Sequence, residues 1–184
     1  NYAEVKSFIK EGDLINGLSI SDNISNKSFK IRAKVVVNAT GVFSDELIKL
    51  DQPNAKPMIR PSQGVHLVLE KKFLNGPHAI MVPQTSDGRV LFAVPWNNYV
   101  VVGTTDTPIV RTTDEPIALK KEINFILENA GNYMTKKPKI SDVKSVFAGL
   151  RPLAASKNIN EPIKEASRHH KVTVSTSGLI SVLG

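Results

Sequence analysis

The sequence predicts an α+β fold, with a mixed or antiparallel sheet and flanking helices. Apolar segments of strand length recur along the 184-residue chain, and Asn97-Asn98 between two of them favours a hairpin. Residues 113–133 have the apolar spacing of a long helix, with apolar side chains three or four positions apart. Strands therefore dominate over helices, which is typical of a sheet covered by a thin helical layer.

Residues 1–50 are predicted to form a β-meander followed by one buried strand. Three strand-like segments lie at 5–9, 18–20 and 29–31. Asn16-Gly17 is predicted as a tight hairpin turn, because Asn-Gly tolerates positive φ. The apolar run Val35-Val36-Val37 is typical of a strand that is buried on both faces.

That strand ends in a turn of small residues. Ser44 is predicted as the N-cap of a short helix over residues 45–50. Glycine lets the backbone approach a ligand closely, and a helix N-terminus favours phosphate. A strand, a small-residue turn and a helix start form the layout of a nucleotide site, although many α/β folds contain it without that function.

A shift in composition toward proline and polar residues begins at Asp51 and predicts a domain boundary. Residues 51–168 are assigned to a second domain and residues 169–184 to strands that return to the first. Strands are predicted at 64–70, 80–83, 89–96, 99–104, 143–150, 172–175 and 179–183. Thr113, Asp114 and Pro116 are predicted to open the long helix.

Composition excludes several classes of site. The chain has no cysteine, which excludes disulfides, thiolate zinc sites and a cysteine nucleophile. The net charge is +7, but Lys and Arg are spread along the chain without a basic tract, which argues against nucleic-acid binding. No metal is expected, because the adjacent His169 and His170 would point to opposite faces of a strand.

Four segments in order resemble the quinone-linked, FAD-dependent glycerol-3-phosphate dehydrogenases of the D-amino-acid-oxidase-like flavoprotein superfamily. They are Val-Val-Val-Asn-Ala-Thr-Gly at 35–41, Gly-Val-His-Leu-Val at 64–68, Pro-Trp at 95–96 with Val-Gly-Thr-Thr-Asp at 102–106, and Ala-Gly-Leu-Arg-Pro-Leu at 148–153. The ordered set, together with Arg168, separates this family from the amino-acid oxidases. The resemblance covers essentially the whole chain.

The resemblance implies that residues 1–50 belong to an FAD-binding α/β domain and residues 51–168 to a substrate-binding domain. The family's Gly-x-Gly-x-x-Gly and Gly-Lys-x-Thr-Thr-Tyr-Arg motifs do not occur in these 184 residues. We therefore expect an internal fragment that is inactive alone and does not retain FAD. The implied FAD contacts are Asn38, Ala39, Thr40 and Gly41, through backbone and small size, with strand-to-helix packing as the alternative.

The implied reaction oxidises sn-glycerol 3-phosphate to dihydroxyacetone phosphate. Arg151 is expected beside the substrate oxygens, since guanidinium presents a fork of donors, and Arg168 at the phosphate. His66 is expected to accept the hydroxyl proton or hydrogen-bond the substrate, in the same cavity as Arg151. The alternatives are an ion-paired surface Arg151, a solvated Arg168 and a core His66. The roles of Trp96 and Asp106 stay open, with core or turn positions as the alternative to a place in the site.

Two other functions stay open at this stage. One is a related FAD-dependent oxidase or dehydrogenase of 2-hydroxy or amino acids, for which one arginine would suffice. The other is a basic binding module without catalysis. For the longer parent enzyme the resemblance implies a bacterial protein with a quinone acceptor, located in the cytoplasm with peripheral attachment to the cytoplasmic membrane, and a homo-oligomeric state.

Overall fold

A computed structural model of the chain describes residues 1–155 and 170–184, and it confirms the α+β prediction. The strands are β1 (Ala3–Glu11), β2 (Leu14–Asp22), β3 (Ser28–Arg32), β4 (Val36–Asn38), β5 (Ile59–Glu70), β6 (Ile80–Val82), β7 (Leu91–Trp96), β8 (Tyr99–Gly103), β9 (Thr107–Pro108), β10 (Ser145–Ala154), β11 (Lys171–Val174) and β12 (Leu179–Leu183). The helices are α1 (Ser44–Asp51) and α2 (Lys120–Gly131). Of the helices in the described residues, none is long and apolar enough to cross a bilayer.

The chain forms two compact units. The first comprises Asn1–Pro61 with Arg151–Gly184, and the second comprises Ser62–Leu150. Both boundaries fall within strands, namely β5 and β10. The functional division into residues 1–50, 51–168 and 169–184 stays a prediction.

The meander of the first unit is the antiparallel sheet β1-β2-β3. Its first turn lies at Gly12, with φ +57°, and not at Asn16-Gly17 as predicted. Gly17 instead lies inside β2, where a Cβ would collide with the carbonyl oxygen of Ile31 on β3. The glycine at this position therefore serves the close approach of two strands, so the hairpin prediction from Asn16-Gly17 was wrong.

The strand β4 is the edge of a second sheet, in the order β11-β12-β4, and pairs in parallel with β12. Val36 is 7% exposed and packs with Ile15 and Leu179. Val35 and Val37 are 56% and 55% exposed. The prediction of a strand buried on both faces was therefore wrong within these residues, because the edge strand packs only one face on this core.

A single 3-10 turn at Gly41–Phe43 precedes α1 and shifts the helix start. The amide of Phe43 donates to the carbonyl of Thr40, and Phe43 is the N-cap residue. Ser44 was predicted as the N-cap but is the first helical residue, with a buried side chain. The prediction failed because the 3-10 turn already places Ser44 in a helical conformation, with φ −57° and ψ −37°, whereas an N-cap residue has a non-helical backbone.

Asp51 connects three elements of the first unit. The side chain of Asp51 is 1% exposed, and its carboxylate lies 2.8 Å from the ammonium of Lys10 on β1. The hydroxyl of Ser177, before β12, donates to its other oxygen at 2.6 Å. Burial raises the pKa of Asp51, but hydrogen bonds, chiefly from Lys10 and Ser177, outweigh burial and hold it below its ordinary value.

Acid should therefore destabilise the first unit partly through Asp51. A carboxyl group whose pKa is lower in the folded state stabilises the fold above its unfolded pKa of about 3.9 and loses that contribution as the pH falls through the folded value. We expect Asp51→Asn to lower the free energy of unfolding at neutral pH by about 1–2 kcal/mol. The melting temperature of the variant should fall accordingly. Its melting temperature should fall less between pH 5 and pH 3 than that of the parent.

Thermal unfolding followed by circular dichroism across this range checks the prediction. Asp13→Asn is the matched control, because Asp13 is exposed in the β1–β2 turn. Equal acid sensitivity of the parent and Asp51→Asn would contradict the assigned role.

The second unit contains a sheet in the order β10-β5-β8-β7-β6, with β9 also paired to β5. Val65, Leu67 and Leu69 on β5 are fully buried and pack against α2 through Ile126 and Ala130. The alternate side chains of β5, beginning with His66, lie on the other face of the sheet. Within residues 1–155 and 170–184, one face of this sheet is therefore the core and the other is open.

The long helix begins later than predicted, at Lys120 with Leu119 as the N-cap residue. The carboxylate of Glu122 accepts the amide of Leu119 at 2.8 Å, which fixes the helix start there. The side-chain amide of Gln63 donates to the carbonyl of Ile117 at 3.1 Å and holds the preceding segment outside the helix. Pro116 consequently lies outside the first turn, and the predicted start was wrong.

Candidate functional site

In the first unit, the turn at residues 38–41 follows the carboxyl end of β4. The side-chain amide of Asn38 donates to the carbonyl of Ser44 at 3.0 Å, while its oxygen accepts the hydroxyl of Thr40 at 2.8 Å. Gly41 has φ +59°, a conformation that favours glycine. Ala39 and Thr40 are exposed, whereas Asn38 is buried. The hydrogen bonds of Asn38 thus fix the shape of the turn, and Ala39 and Thr40 lie on its exposed side.

This turn fits a neutral part of a nucleotide cofactor better than a phosphate. Ligands of α/β sheets bind outside the carboxyl ends of parallel strands, which is where the turn lies. However, Asp45 and Glu46 occupy the first turn of α1 and offset its positive end. Asp45 also accepts the amides of Met58 and Ile59, at 2.9 and 3.2 Å. The residues therefore fit FAD through backbone and small side chains, without a phosphate site at α1.

In the second unit, His66 lies on the open face of the sheet and is half buried. Its partner in the neighbouring strand β8 is Gly103. The imidazole stacks on the ring of Phe147 from β10, with ring centroids 5.0 Å apart and an interplanar angle of 9°. His66 is therefore a half-buried sheet-face residue in contact with an aromatic ring, and its role at the substrate stays a prediction.

Around His66 the open face carries large apolar side chains. The most exposed are Met81 at 58%, Phe92 at 49%, Trp96 at 65% and Phe147 at 49%. Trp96 ends β7 opposite Tyr99 in the predicted hairpin and is not a core residue. Contiguous apolar surface of this kind is typical of a ligand or protein contact.

Of the two arginines of the predicted site, the structure describes Arg151. Arg151 lies half buried in β10 and belongs to the first unit, whereas His66 belongs to the second. Their predicted convergence on one cavity stays a prediction. Arg168 and His169 lie outside the described residues, and the phosphate role of Arg168 likewise stays a prediction.

The sequence analysis missed a buried polar network near the first residues of β5. Glu122 is 3% exposed and accepts four donors: Gln63 Nε2 at 2.7 Å, Leu119 N at 2.8 Å, Thr107 Oγ1 at 2.5 Å and Thr105 Oγ1 at 3.3 Å. Thr105 Oγ1 also accepts the amide of Val65 at 2.9 Å. The hydroxyl of Ser62 donates to Asp106.

The Thr-Thr-Asp segment after β8 is thus anchored by side chains that are more than fifteen positions away. Thr105 and Asp106 act here as anchors of the strand ends, in agreement with a structural role in the turn. The sequence contained only half of the signal for this helix start. A glutamate three positions after the N-cap residue is favourable, as Glu122 is here, but Leu119 is not a residue type that caps helices.

Comparison with known proteins shows the family to which the chain belongs. A sequence model of a family described as FAD dependent oxidoreductase matches residues 1–184. The mitochondrial glycerol-3-phosphate dehydrogenase of Mus musculus is 37% identical over the whole chain, which spans 26% of that relative. The glycerol-3-phosphate dehydrogenase of Bacillus halodurans, solved in complex with FAD, is 33% identical, with a TM-score of 0.83 over 99% of this chain and 34% of that one.

A more distant structure shares the fold alone. Glycine oxidase from Bacillus cereus is 18% identical, with a TM-score of 0.61 over 98% of this chain and 42% of that one. The chain therefore spans about a quarter to two fifths of the length of these three proteins.

Proposed function

Because the chain belongs to the family of FAD dependent oxidoreductases, we propose that it is part of an enzyme that oxidises sn-glycerol 3-phosphate to dihydroxyacetone phosphate. The observation that carries the proposal is the similarity of the complete chain to glycerol-3-phosphate dehydrogenases, at a third or more identical residues. The fold alone would equally suit glycine oxidase, so the substrate is inferred from sequence similarity together with the residues discussed next.

FAD, when bound, would supply the acceptor for the hydride that leaves the secondary carbinol carbon of the substrate. On this proposal the turn of Asn38, Ala39, Thr40 and Gly41 contributes to holding the cofactor. Its support is the position of the turn at the carboxyl end of β4, with exposed Ala39 and Thr40 and an internally bonded Asn38.

The chain's own ionisable groups would handle the charges and the proton. An imidazole nitrogen of His66 would accept the hydroxyl proton as the hydride departs, or hydrogen-bond that hydroxyl. Arg151 would orient the substrate oxygens at the reacting carbon, and Arg168 would bind the phosphate. The apolar face around His66 supports this role, because exclusion of water strengthens such contacts.

The finer parts of the proposal concern the setting of the enzyme. We propose a quinone as the acceptor of the electrons, and a bacterial cytoplasmic enzyme attached peripherally to the cytoplasmic membrane, which acts as a homo-oligomer. The bacterial source rests on the sequence resemblance, since a bacterial relative is 33% identical and a mitochondrial relative is 37% identical. The net charge of +7 suits an acidic membrane surface.

The phosphate role gives the sharpest test of the substrate. In a full-length flavoprotein that contains this sequence, we expect Arg168→Ala to raise the KM for glycerol 3-phosphate about 10- to 150-fold, since a charge-assisted contact is lost. Oxidation of glycerol, which has no phosphate, should change little. Steady-state assays with an artificial electron acceptor measure both.

Arg111→Ala is the matched control, because Arg111 is an exposed arginine in a loop. An unchanged KM for glycerol 3-phosphate would contradict the phosphate role. Faster oxidation of glycine, proline or a 2-hydroxy acid than of glycerol 3-phosphate would instead support the related oxidase or dehydrogenase of amino or 2-hydroxy acids. A colourless protein with salt-dependent binding to duplex DNA would support a basic binding module.

A further inference from the structure

We propose that Gly103 and Phe147 are positioning residues for His66 and together hold its imidazole in one orientation on the open sheet face. The inference rests on the proposed function, because that function gives His66 its contact with the substrate. It assigns a role to two positions that touch neither the substrate nor the cofactor in that proposal.

The space over Gly103 is filled by the imidazole. Gly103 lies directly opposite His66, on the strand β8 that neighbours β5. A Cβ at residue 103 would lie 2.8 Å from Cγ and 2.9 Å from Nε2 of His66, and closer still to Cδ2. Real Cβ atoms essentially never approach so closely, so any side chain at residue 103 would displace the ring. Only glycine lets the imidazole lie across β8.

Phe147 restrains the ring from the other side. The strand β10 lies on the side of β5 opposite to β8. The near-parallel stacking of Phe147 on His66 fixes the plane of the imidazole, because rotation about its Cβ–Cγ bond would break the contact. Phe147 itself is 49% exposed, while its neighbour Ala148 packs against the core. The phenyl ring therefore contributes little to the core and has the imidazole as its aromatic partner.

The orientation of the ring matters because an imidazole accepts a proton in its own plane. A nitrogen lone pair points along the plane, so a rotated ring aims it away from the hydroxyl it is to deprotonate. Catalysis is sensitive to displacements of about 1 Å in such a group. The glycine on one side and the phenyl ring on the other leave the imidazole a narrow range of orientations before any substrate binds.

The test uses a full-length flavoprotein that contains this sequence. We expect Phe147→Leu to lower kcat for glycerol 3-phosphate about threefold to tenfold, with little change in KM or melting temperature. Phe147→Tyr keeps a stacking ring and should restore the rate to within about twofold. Gly103→Ala should lower kcat at least about tenfold, and its crystal structure should show the imidazole displaced from residue 103. Phe29→Leu is the control, because Phe29 is a similarly exposed phenylalanine of the first unit.

A double-mutant cycle separates positioning from general structural support. In a His66→Ala background, Phe147→Leu should have no further effect on kcat, because the residue that it positions is gone. An equal loss with and without His66, or an unmoved imidazole in Gly103→Ala, would overturn the inference. If Gly103→Ala does not fold, the Phe147 cycle decides alone. Full activity of His66→Ala would overturn the inference together with the proposed role of His66, whereas a normal Phe147→Leu beside an impaired His66→Ala would overturn the positioning only.

Discussion

Replacement of Arg151 by alanine should reduce kcat/KM for glycerol 3-phosphate about 100- to 1,000-fold in a full-length flavoprotein that contains this sequence. Loss of one preorganised donor to a developing oxyanion commonly has an effect of this size. Pro152 follows Arg151 within β10 and restricts the backbone, which favours a fixed direction for the side chain. Steady-state kinetics with flavin absorbance measured in parallel will separate loss of chemistry from loss of cofactor.

Arg151→Lys tests the geometry of the contact, since it keeps the charge but loses the planar fork of donors. We expect it to recover only a small part of the activity. Arg111→Ala again provides an exposed arginine as the control. Activity within twofold of the parent in Arg151→Ala would mean that Arg151 is an ion-paired arginine without a role at the substrate.

Replacement of Glu122 by alanine should have the largest effect on stability. It leaves the buried Gln63 and Thr105 without their carboxylate acceptor, together with Thr107 and the amide of Leu119 at the start of α2. Each buried donor left unpaired costs about 1–3 kcal/mol, so we expect a total of about 3–4 kcal/mol from Gln63 and Thr105, because Thr107 and Leu119 are partly exposed and water can replace the carboxylate there. For a domain of this size that corresponds to a fall in melting temperature of more than about 10 °C.

Glu128→Ala is the matched control, because Glu128 is exposed on the same helix. Its melting temperature should stay within about 2 °C of the parent, because substitutions at exposed surface positions have small effects. Glu122→Gln keeps the volume and one acceptor oxygen and should lie between the two. A melting temperature of Glu122→Ala equal to that of Glu128→Ala would contradict the assigned network.

Periodicity predicted the strands and the fold class, because both depend on local patterns. The β7–β8 hairpin at Asn97-Asn98 was found in this way, and Asn97 has φ +53° as such a turn requires. Asn16-Gly17 carried an equally strong local signal but lies inside a strand, because Gly17 is needed where β3 approaches closely. A local rule cannot distinguish a glycine that makes a turn from one that makes room for a neighbouring strand.

The site was less accessible to sequence reasoning for the same physical reason. His66 was selected by resemblance, but its contacts with Phe147 and Gly103 depend on strand order, which brings β10 and β8 to either side of β5. The buried polar network around Glu122 likewise depends on residues from separate segments of the chain. Long-range partners of this kind leave no periodic trace in one sequence.

The discontinuous composition of the first unit has a consequence for the order of folding. Its parallel pair joins residues 36–38 to residues 179–181, so that pairing closes a loop of more than a hundred residues. The second unit is continuous, from Ser62 to Leu150, and its strand pairs β6–β7 and β7–β8 are local. Contacts between residues that are far apart in the sequence form slowly, because the chain must lose conformational entropy to close the loop before the contact stabilises it. On a ribosome the inserted unit can therefore be complete while the β1-β2-β3 meander still awaits the strands that finish its own unit.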